Sequence, residues 1–458
     1  MKMTIAEVAQ AVHAQNDVSR YAQVQVYSAA FDSRHLKKGA LFVPLNGQRD
    51  GHQYVPNAIK NGAAATFWAK RHPNPPKGFP VVIVKNPYRA LQTLAHYYRQ
   101  KVDPEVVAIT GSNGKTTTKD LTASVLGTQY RVQKTHASFN NGIGVPVTIL
   151  SMHPDTQILV VEMGMDNFGQ LDRLSRIAAP DVALITMIGE AHIEHLGSRA
   201  GIADAKLEVT HGLKPEGTFL FYGDEPLLRQ RAPQVSQKQL TFGNDHRNDL
   251  YPTKIEPAAK QTSFMVNRWP QVRFTIPILG DYNVDNACGA LLIASLFEIT
   301  SQNMQKGLMN ASLTQNRTEW MTGRGGEAIL SDVYNSNPTA ARAVLKTFSA
   351  VPASGKRIAV LGDMLELGQR SKALHASLAK DLNPSVISSV YLIGTDMKAL
   401  YAVLIKKYPR QAVHYYPAGD LRELTADLKS ELTSKDKIML KASHGIHLEK
   451  VLASLIKN

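Results

Sequence analysis

The chain has 458 residues, about three times the length of one typical domain, with 43% apolar and 20% charged side chains, 31 Gly and 23 Pro. That usage excludes a disordered, collagen-like or low-complexity chain. The single Cys288 excludes an intramolecular disulfide or a Cys-rich metal centre, and no apolar run approaches the roughly 20 residues of a membrane span. The net charge of +14 is unevenly spread: residues 1–100 hold 13 basic side chains against only Glu7, Asp17, Asp32 and Asp50. An anionic ligand, a nucleic acid or a plain solvated surface would each fit this excess. The basic residues are scattered without interleaved aromatics, so no nucleic-acid partner is expected.

The N-terminus lacks an apolar signal core, which makes the cytoplasm the expected compartment. Thr4 and Glu7 have the spacing of a capping box for a first helix. Short apolar runs at Ala40–Pro44, Ala63–Trp68 and Val81–Lys85 predict strands, and an amphipathic helix is predicted over Tyr88–Gln100. Asp103-Pro104 then marks a boundary. The next segment opens with Val106–Thr110 and has further buried-strand runs at Gln157–Met163, Val182–Met187 and Thr218–Tyr222. Helical stretches alternate with them, the pattern of a parallel sheet covered on both faces. Polar, Pro-containing sequence over 232–277 predicts extra strands at the edge of that sheet, and a helix is predicted from Asn283 toward Ile299. From Arg317 the alternation resumes, with strands at Ala328–Val333, Arg357–Leu361, Val390–Ile393, Ala412–Tyr416 and Lys437–Lys441. Helices are predicted between them at Thr339–Phe348, Ser371–Leu382, Met397–Lys407 and Asp420–Leu432. The expected fold class is α/β in three domains: 1–102, 103–315 and 316–458. The third is Rossmann-like and doubly wound, with ligands at the carboxyl ends of its strands.

Gly111-Ser112-Asn113-Gly114-Lys115-Thr116-Thr117 lies between a buried strand and a helix beginning near Thr117. Glycines there let backbone N–H groups turn inward onto phosphates, Lys115 adds positive charge, and Thr116 offers a hydroxyl to Mg²⁺. The loop is the shortened G-x-x-G-K-T form, because Ile109 stands where the strict pattern has its first glycine. Glu162 ends the second strand run, where a carboxylate suits either Mg²⁺ or the capping of a surface helix. The string Gly189-Glu190-Ala191-His192-Ile193-Glu194-His195 follows the third run. Its spacing is not that of a catalytic zinc site, and it reads as a polar loop or as part of a Mg²⁺ rim.

These features, with others along the whole chain, resemble the Mur ligases. Asp32-Ser33-Arg34, Gly39, Leu41-Phe42, Gly47 and Asp50-Gly51-His52 are similar to that family's uridine-diphosphate-sugar module. Thr110–Thr117, Phe139-Asn140-Asn141, Glu162-Met163-Gly164, the His192 string, Ala205-Lys206-Leu207-Glu208 and Asn283-x-x-Asn286 follow in family order. So do Arg317, Asp332-x-Tyr334-Asn335-x-Asn337-Pro338 and Leu361-Gly362-Asp363-Met364-Leu365-Glu366-Leu367-Gly368. The last string is the most specific to the family type that joins D-alanyl-D-alanine to UDP-N-acetylmuramoyl-tripeptide.

The resemblance implies a central P-loop domain that spends ATP to form an amide through an acyl phosphate. It implies two Mg²⁺ ions, with Thr116, Glu162, His192 and Lys206 as ligands, Lys206 being carbamylated by CO₂. By its position alone Lys206 reads as an ordinary helix-surface lysine. Lys115 and the rest of the loop would hold phosphates, and Asn286 and Arg317 would contact the nucleotide. Asp332, Asn335 and Asn337 would serve the ribose and adenine side, with Tyr334 packed on the adenine. Ser33, Arg34, Asp50, His52, Asn140 and Asn141 would meet the UDP-linked peptide. A monomer whose C-terminal domain closes over the central one is expected. Ser138 and Lys441-Ala442-Ser443-His444 depart from the family pattern, which usually has Asn at the first position and Lys-Gly-Ser-Arg at the second.

Overall fold

The computed structural model describes residues 1–258, 260–315 and 317–456. Residue 316, on which the expected division between second and third segments falls, and residues 457–458 of the third lie outside them. Three mainly parallel sheets succeed one another along the described chain, their central strands being short apolar runs buried on both faces.

The first sheet pairs Ser28–Ala30, Ala40–Phe42, Ala65–Ala69 and Val81–Val84 in that order, all parallel. The opening helix Ile5–Ala11 takes only half of the expected capping box. Thr4 accepts the Glu7 N–H at 3.2 Å, but the Glu7 carboxylate pairs with Lys101 Nζ at 2.6 Å. Helix Pro87–Val102 starts on an Asn86 cap with Pro at its first turn, and ends on a left-handed Asp103 directly before Pro104. Its Arg99 donates to the carbonyls of Ala178 and Ala179 at 3.0 and 3.1 Å, tying the first unit to the central one.

The central sheet has the order Lys238–Phe242, Thr218–Tyr222, Val182–Ile185, Glu105–Thr110, Ile158–Glu162, Val132–Lys134, parallel throughout. The sequence expectation for 232–277 holds only for its first strand, at the sheet's edge. Pro252–Pro257, Thr262–Val266 and Trp269–Ile276 form a separate antiparallel sheet, with Phe264 and Phe274 buried. Helix Asp281–Leu296 is buried along nearly its whole length, beside the phosphate-loop helix Lys115–Leu126.

The last sheet has the order Glu319–Thr322, Ala328–Asp332, Lys437–Lys441, Arg357–Gly362, Ser389–Ile393, Val413–Tyr416, and only its first strand is antiparallel. The carboxyl ends of its strands face those of the central sheet across a cavity of ≈ 600 Å³.

Candidate active site

Strand Glu105–Thr110 delivers the chain into the glycine loop, and the helix begins at Lys115, two residues before the expected start. Gly111 (φ +148°) and Gly114 (φ +82°) adopt conformations that side chains disfavour; a Cβ on either would collide with Thr186 or Asn286. Lys115 folds back, its Nζ donating to the Gly111 carbonyl at 2.9 Å, and burial lowers its pKa. Ser112 Oγ is buried with no hydrogen-bond partner among the described residues.

Glu162 ends its strand fully buried. Its two oxygens accept from the Thr116 hydroxyl and the Asn140 amide, both at 2.8 Å. Both donors are neutral, and no cation lies within ion-pair distance of this carboxylate among the described residues. Asn141 is spent differently: its Oδ1 accepts from Ile143 N and Gly144 N at 3.1 and 2.9 Å, fixing the start of helix Gly144–Leu150.

Helix Arg199–Leu207, capped by Ser198, carries Lys206 in its last turn. Lys206 is 2% exposed and makes no hydrogen bond or ion pair among the described residues. Burial, reinforced by the nearby Lys115 charge, holds its pKa well below the ordinary lysine value. His192 (φ +62°) faces the same cavity. Burial lowers its pKa, against the opposing pull of Glu366, while Lys115 and Lys206 lower it further. Glu194 and His195 of the same string are exposed.

The C-terminal sheet closes the cavity from the other side. Asn337 caps helix Pro338–Ala350 and exchanges amide hydrogen bonds with Asn113 at 3.2 and 2.8 Å. Glu190 accepts from the Thr339 N–H and hydroxyl at 3.1 and 2.8 Å. The Arg317 guanidinium lies 4.1 Å from the Tyr334 ring centroid and reaches Ser138 Oγ at 3.4 Å, and its buried Nε has no partner among the described residues. The His444 ring stacks 6.0 Å from Tyr334. Lys441 Nζ donates to Asp332 at 2.6 Å and to the Asn335 carbonyl at 2.9 Å. Asn286 accepts from Thr118 and donates to Asn283.

Of the residues singled out in the sequence, Ser112, Asn113, Gly114, Lys115, Thr117, Asn140, Asn141, Glu162, His192 and Lys206 line this one cavity, as do Asn286, Arg317, Asp332, Tyr334 and Asn335. Gly111, Thr116 and Asn337 stand directly behind it through the contacts given above. Ser33, Arg34, Asp50 and His52 do not reach it. Ser33 is buried against Asn57, and Arg34 forms a bidentate pair with Asp32. Asp50 binds His52 Nδ1 and His72 Nε2 at 2.7 and 2.8 Å. His52 Nε2 accepts the Ala69 N–H, so its proton sits on Nδ1 and points at Asp50 rather than leaving a lone pair there for a metal. A bridge between the two regions exists all the same: the exposed rings of Phe31 and Phe139 are 6.5 Å apart, next to Asp32–Arg34 and Asn140-Asn141 respectively.

Sequence reasoning missed Lys119, Lys441, Asp285 and Glu366 as participants. Lys119 is fully buried and ties the carbonyls of Thr135 and Ala137, which sets the loop carrying Asn140. Asp285 lines the cavity with its pKa raised to about 7, by burial first and then by Asp224. Its place inside Asn283-x-x-Asn286 was the available signal.

Three family descriptions match the chain: the Mur ligase family catalytic domain over 8–99, the Mur ligase middle domain over 109–294, and the Mur ligase glutamate ligase domain over 316–444. A UDP-N-acetylmuramoyl-tripeptide–D-alanyl-D-alanine ligase of Bacillus subtilis is 39% identical over 100% of this chain and 99% of its own. The crystal structure of MurF from Acinetobacter baumannii superposes with a TM-score of 0.87 at 27% identity, covering 99% of this chain and 98% of that one. MurF ligase from Thermotoga maritima, solved in complex with ADP, gives 0.80 at 26% identity over 94% and 97%.

Proposed function

The chain belongs to the Mur ligase family and is a ligase of peptidoglycan precursor synthesis, and we propose that it joins D-alanyl-D-alanine to UDP-N-acetylmuramoyl-tripeptide at the expense of ATP. The observation that carries this reading is the meeting, in one cavity between two sheets, of a phosphate loop, a buried carboxylate without a cationic partner and a buried lysine without any partner among the described residues.

ATP phosphates lie along the loop and the N-terminus of helix Lys115–Leu126, where backbone N–H groups, Lys115 and the orphan Ser112 hydroxyl converge. The donor set suits hard divalent cations: Thr116 and Glu162 hold one Mg²⁺, and His192 with Lys206 serves a second. Lys206 fits a carbamate, since burial favours the free amine that CO₂ adds to over the ammonium, and the product is a carboxylate-like ligand. Bound Mg²⁺ supplies positive charge to the phosphoryl group in transfer.

The tripeptide carboxylate attacks the γ-phosphoryl, and Lys115 offsets the repulsion between the two anions. The dipeptide amine then attacks the acyl phosphate, releasing phosphate and forming the amide. Water would hydrolyse that intermediate, and the contacts Asn113–Asn337 and Glu190–Thr339 hold the C-terminal sheet over the cavity where it forms. Asn286 and Arg317 hold the nucleotide, with Asp332, Tyr334, Asn335 and Asn337 on its base and ribose side. The UDP end occupies the first sheet near Ser33, Arg34, Asp50 and His52, and the peptide passes over the exposed side of the Phe31–Phe139 pair toward Asn140. The functional units are 1–102, 103–315 and 316–458, in a cytoplasmic monomer that binds no nucleic acid. Among the described residues no helix is long and apolar enough to cross a membrane.

Phosphate release measured with ATP, a UDP-muramoyl tripeptide and a panel of D-Ala-D-Ala, D-Ala and L-amino acids tests this. Release is expected only with both substrates present and with D-Ala-D-Ala as the amine. Release with a single amino acid in place of the dipeptide would reassign the substrate.

A further inference from the structure

The string Gly362–Gly368 leaves the end of strand Arg357–Gly362, and its side chains divide cleanly by task. Asp363 accepts from the N–H groups of Thr395, Asp396 and Met397, binding the loop to the start of helix Met397–Leu404. Met364 and Leu367 are buried, and the backbone N–H groups of Met364 and Leu365 are held by His375 and Ser443 at 2.9 Å. Glu366 is what this fixed loop holds out. Its backbone is left-handed (φ +60°), and its carbonyl accepts the Glu194 N–H from the central unit at 3.1 Å.

The Glu366 carboxylate meets His192 Nδ1 at 2.5 Å, across 174 residues of sequence. A carboxylate oxygen accepts, so the ring proton sits on Nδ1 and the lone pair is left on Nε2. Among the described residues Nε2 makes no hydrogen bond, and the ring lines the cavity. A carboxylate behind a metal-binding imidazole fixes its tautomer and orientation and raises its basicity.

We propose that Glu366 is a positioning residue for His192, delivered by closure of the C-terminal domain, and that it presents Nε2 to the second divalent cation so that the cation's affinity depends on closure. This rests on the reading of His192 as a ligand of that cation. Linkage makes the effect reciprocal: the cation favours the closed arrangement by the same factor by which closure tightens the cation.

The test is Mn²⁺ binding to the full-length enzyme in the presence of a non-hydrolysable ATP analogue. It is followed by electron paramagnetic resonance, with the ¹⁴N coupling of the bound ion as the histidine signature and small-angle scattering for closure. Wild type should show ¹⁴N-coupled Mn²⁺, and His192→Ala should lose it. Glu366→Ala should weaken that ion about 10- to 100-fold and move Mn²⁺-dependent compaction to correspondingly higher concentration. Glu366→Gln, whose amide oxygen still accepts from Nδ1, should recover most of the affinity, and the double variant should be no worse than His192→Ala. If Glu366→Ala and Glu366→Gln both bind Mn²⁺ as wild type does while His192→Ala loses it, the proposal is overturned. If His192→Ala keeps both affinity and coupling, His192 leaves the metal site and the proposal fails with that reading instead.

Discussion

Two cavities of nearly equal size, ≈ 600 and ≈ 610 Å³, lie at opposite ends of the central sheet. At the amino ends of the strands the partly buried Asp181 is fully engaged. Asp181 takes Lys214 at 2.6 Å and the Val106 N–H at 2.8 Å, with Arg99 at 3.9 Å. At the carboxyl ends, among the described residues, Lys206 has no partner, Ser112 Oγ has none, and Glu162 has only neutral ones. Volume does not distinguish the two. Buried unspent polarity does, since, among the described residues, the acids without an ion pair at the amino ends, Glu105, Glu216 and Glu298, are exposed to solvent, and the parallel fold puts it at the end where the helix N-termini gather.

The sharpest way to break that contrast is to remove one lysine from each end. Lys206→Ala should lower kcat on the order of 1,000-fold, and added small carboxylates should restore part of it by replacing the carbamate oxygens. Lys214→Ala removes a partly exposed ion pair, and it should cost at most about 1 kcal/mol of stability and leave turnover within about twofold. Full activity of the Lys206 variant, or a large kinetic loss at Lys214, would reverse the assignment of the two ends.

A smaller effect is expected at the rim formed by the C-terminal sheet. Arg317→Ala removes the guanidinium stacked on Tyr334 and the contact to Ser138. The KM for ATP should rise roughly tenfold, with less change for the dipeptide. Equal changes for both substrates in steady-state kinetics would place Arg317 in closure rather than in nucleotide binding.

The buried strands were legible because a buried parallel strand is a local apolar run, and Val106–Thr110 or Lys437–Lys441 needs no distant information; Ser28–Ala30, Val132–Lys134 and Glu319–Thr322, which are only half-buried and carry no such run, were not expected. The glycine loop was legible for the same reason. What stayed hidden is set by pairs far apart in sequence. Asn113 and Asn337 are 224 residues apart, and neither shows in its own neighbourhood that it will meet the other. Glu7 looks like a capping residue until Lys101 competes for it. Lys119 reads as one more polar position on a helix whose other face carries the loop. Pro252–Ile276 announces strands, but not that they leave the main sheet, because hydrophobic alternation carries no information about which sheet a strand joins.

Each end of the sheet also has a carboxyl whose pKa burial raises: Asp285 at the rim, to about 7, and Glu105 at the opposite end. In such a group the folded state holds its proton longer than the unfolded one, so stability falls as pH rises from the unfolded carboxyl value toward the folded one. Asp285→Asn should therefore gain about 1–2 kcal/mol over wild type in thermal unfolding near pH 8, with the gain vanishing near pH 4. Glu105→Gln should gain less, because that side chain is exposed and Lys214 and Arg99 oppose the shift. A pH-independent difference at Asp285 would mean that packing, not ionisation, sets its cost.

The smallest expected effect separates the first sheet from both ends of the central one. Its four acids are spent locally, Glu7 on Lys101, Asp17 on Ser19, Asp32 on Arg34 and Asp50 on two histidines. Of the thirteen basic side chains in residues 1–100 only Arg34 and Arg99 enter ion pairs among the described residues, and Lys101 just beyond them is the partner of Glu7. The remaining positive field is long-ranged and open to solvent, so it should draw in a diphosphate and fade with ionic strength, unlike the short, buried contacts of the cavity. The KM for the UDP-linked substrate should rise roughly threefold between about 0.05 and about 0.3 M salt, while that for the uncharged-overall dipeptide should stay nearly flat. Parallel salt curves for the two substrates would show that the first unit's charge does no work in binding.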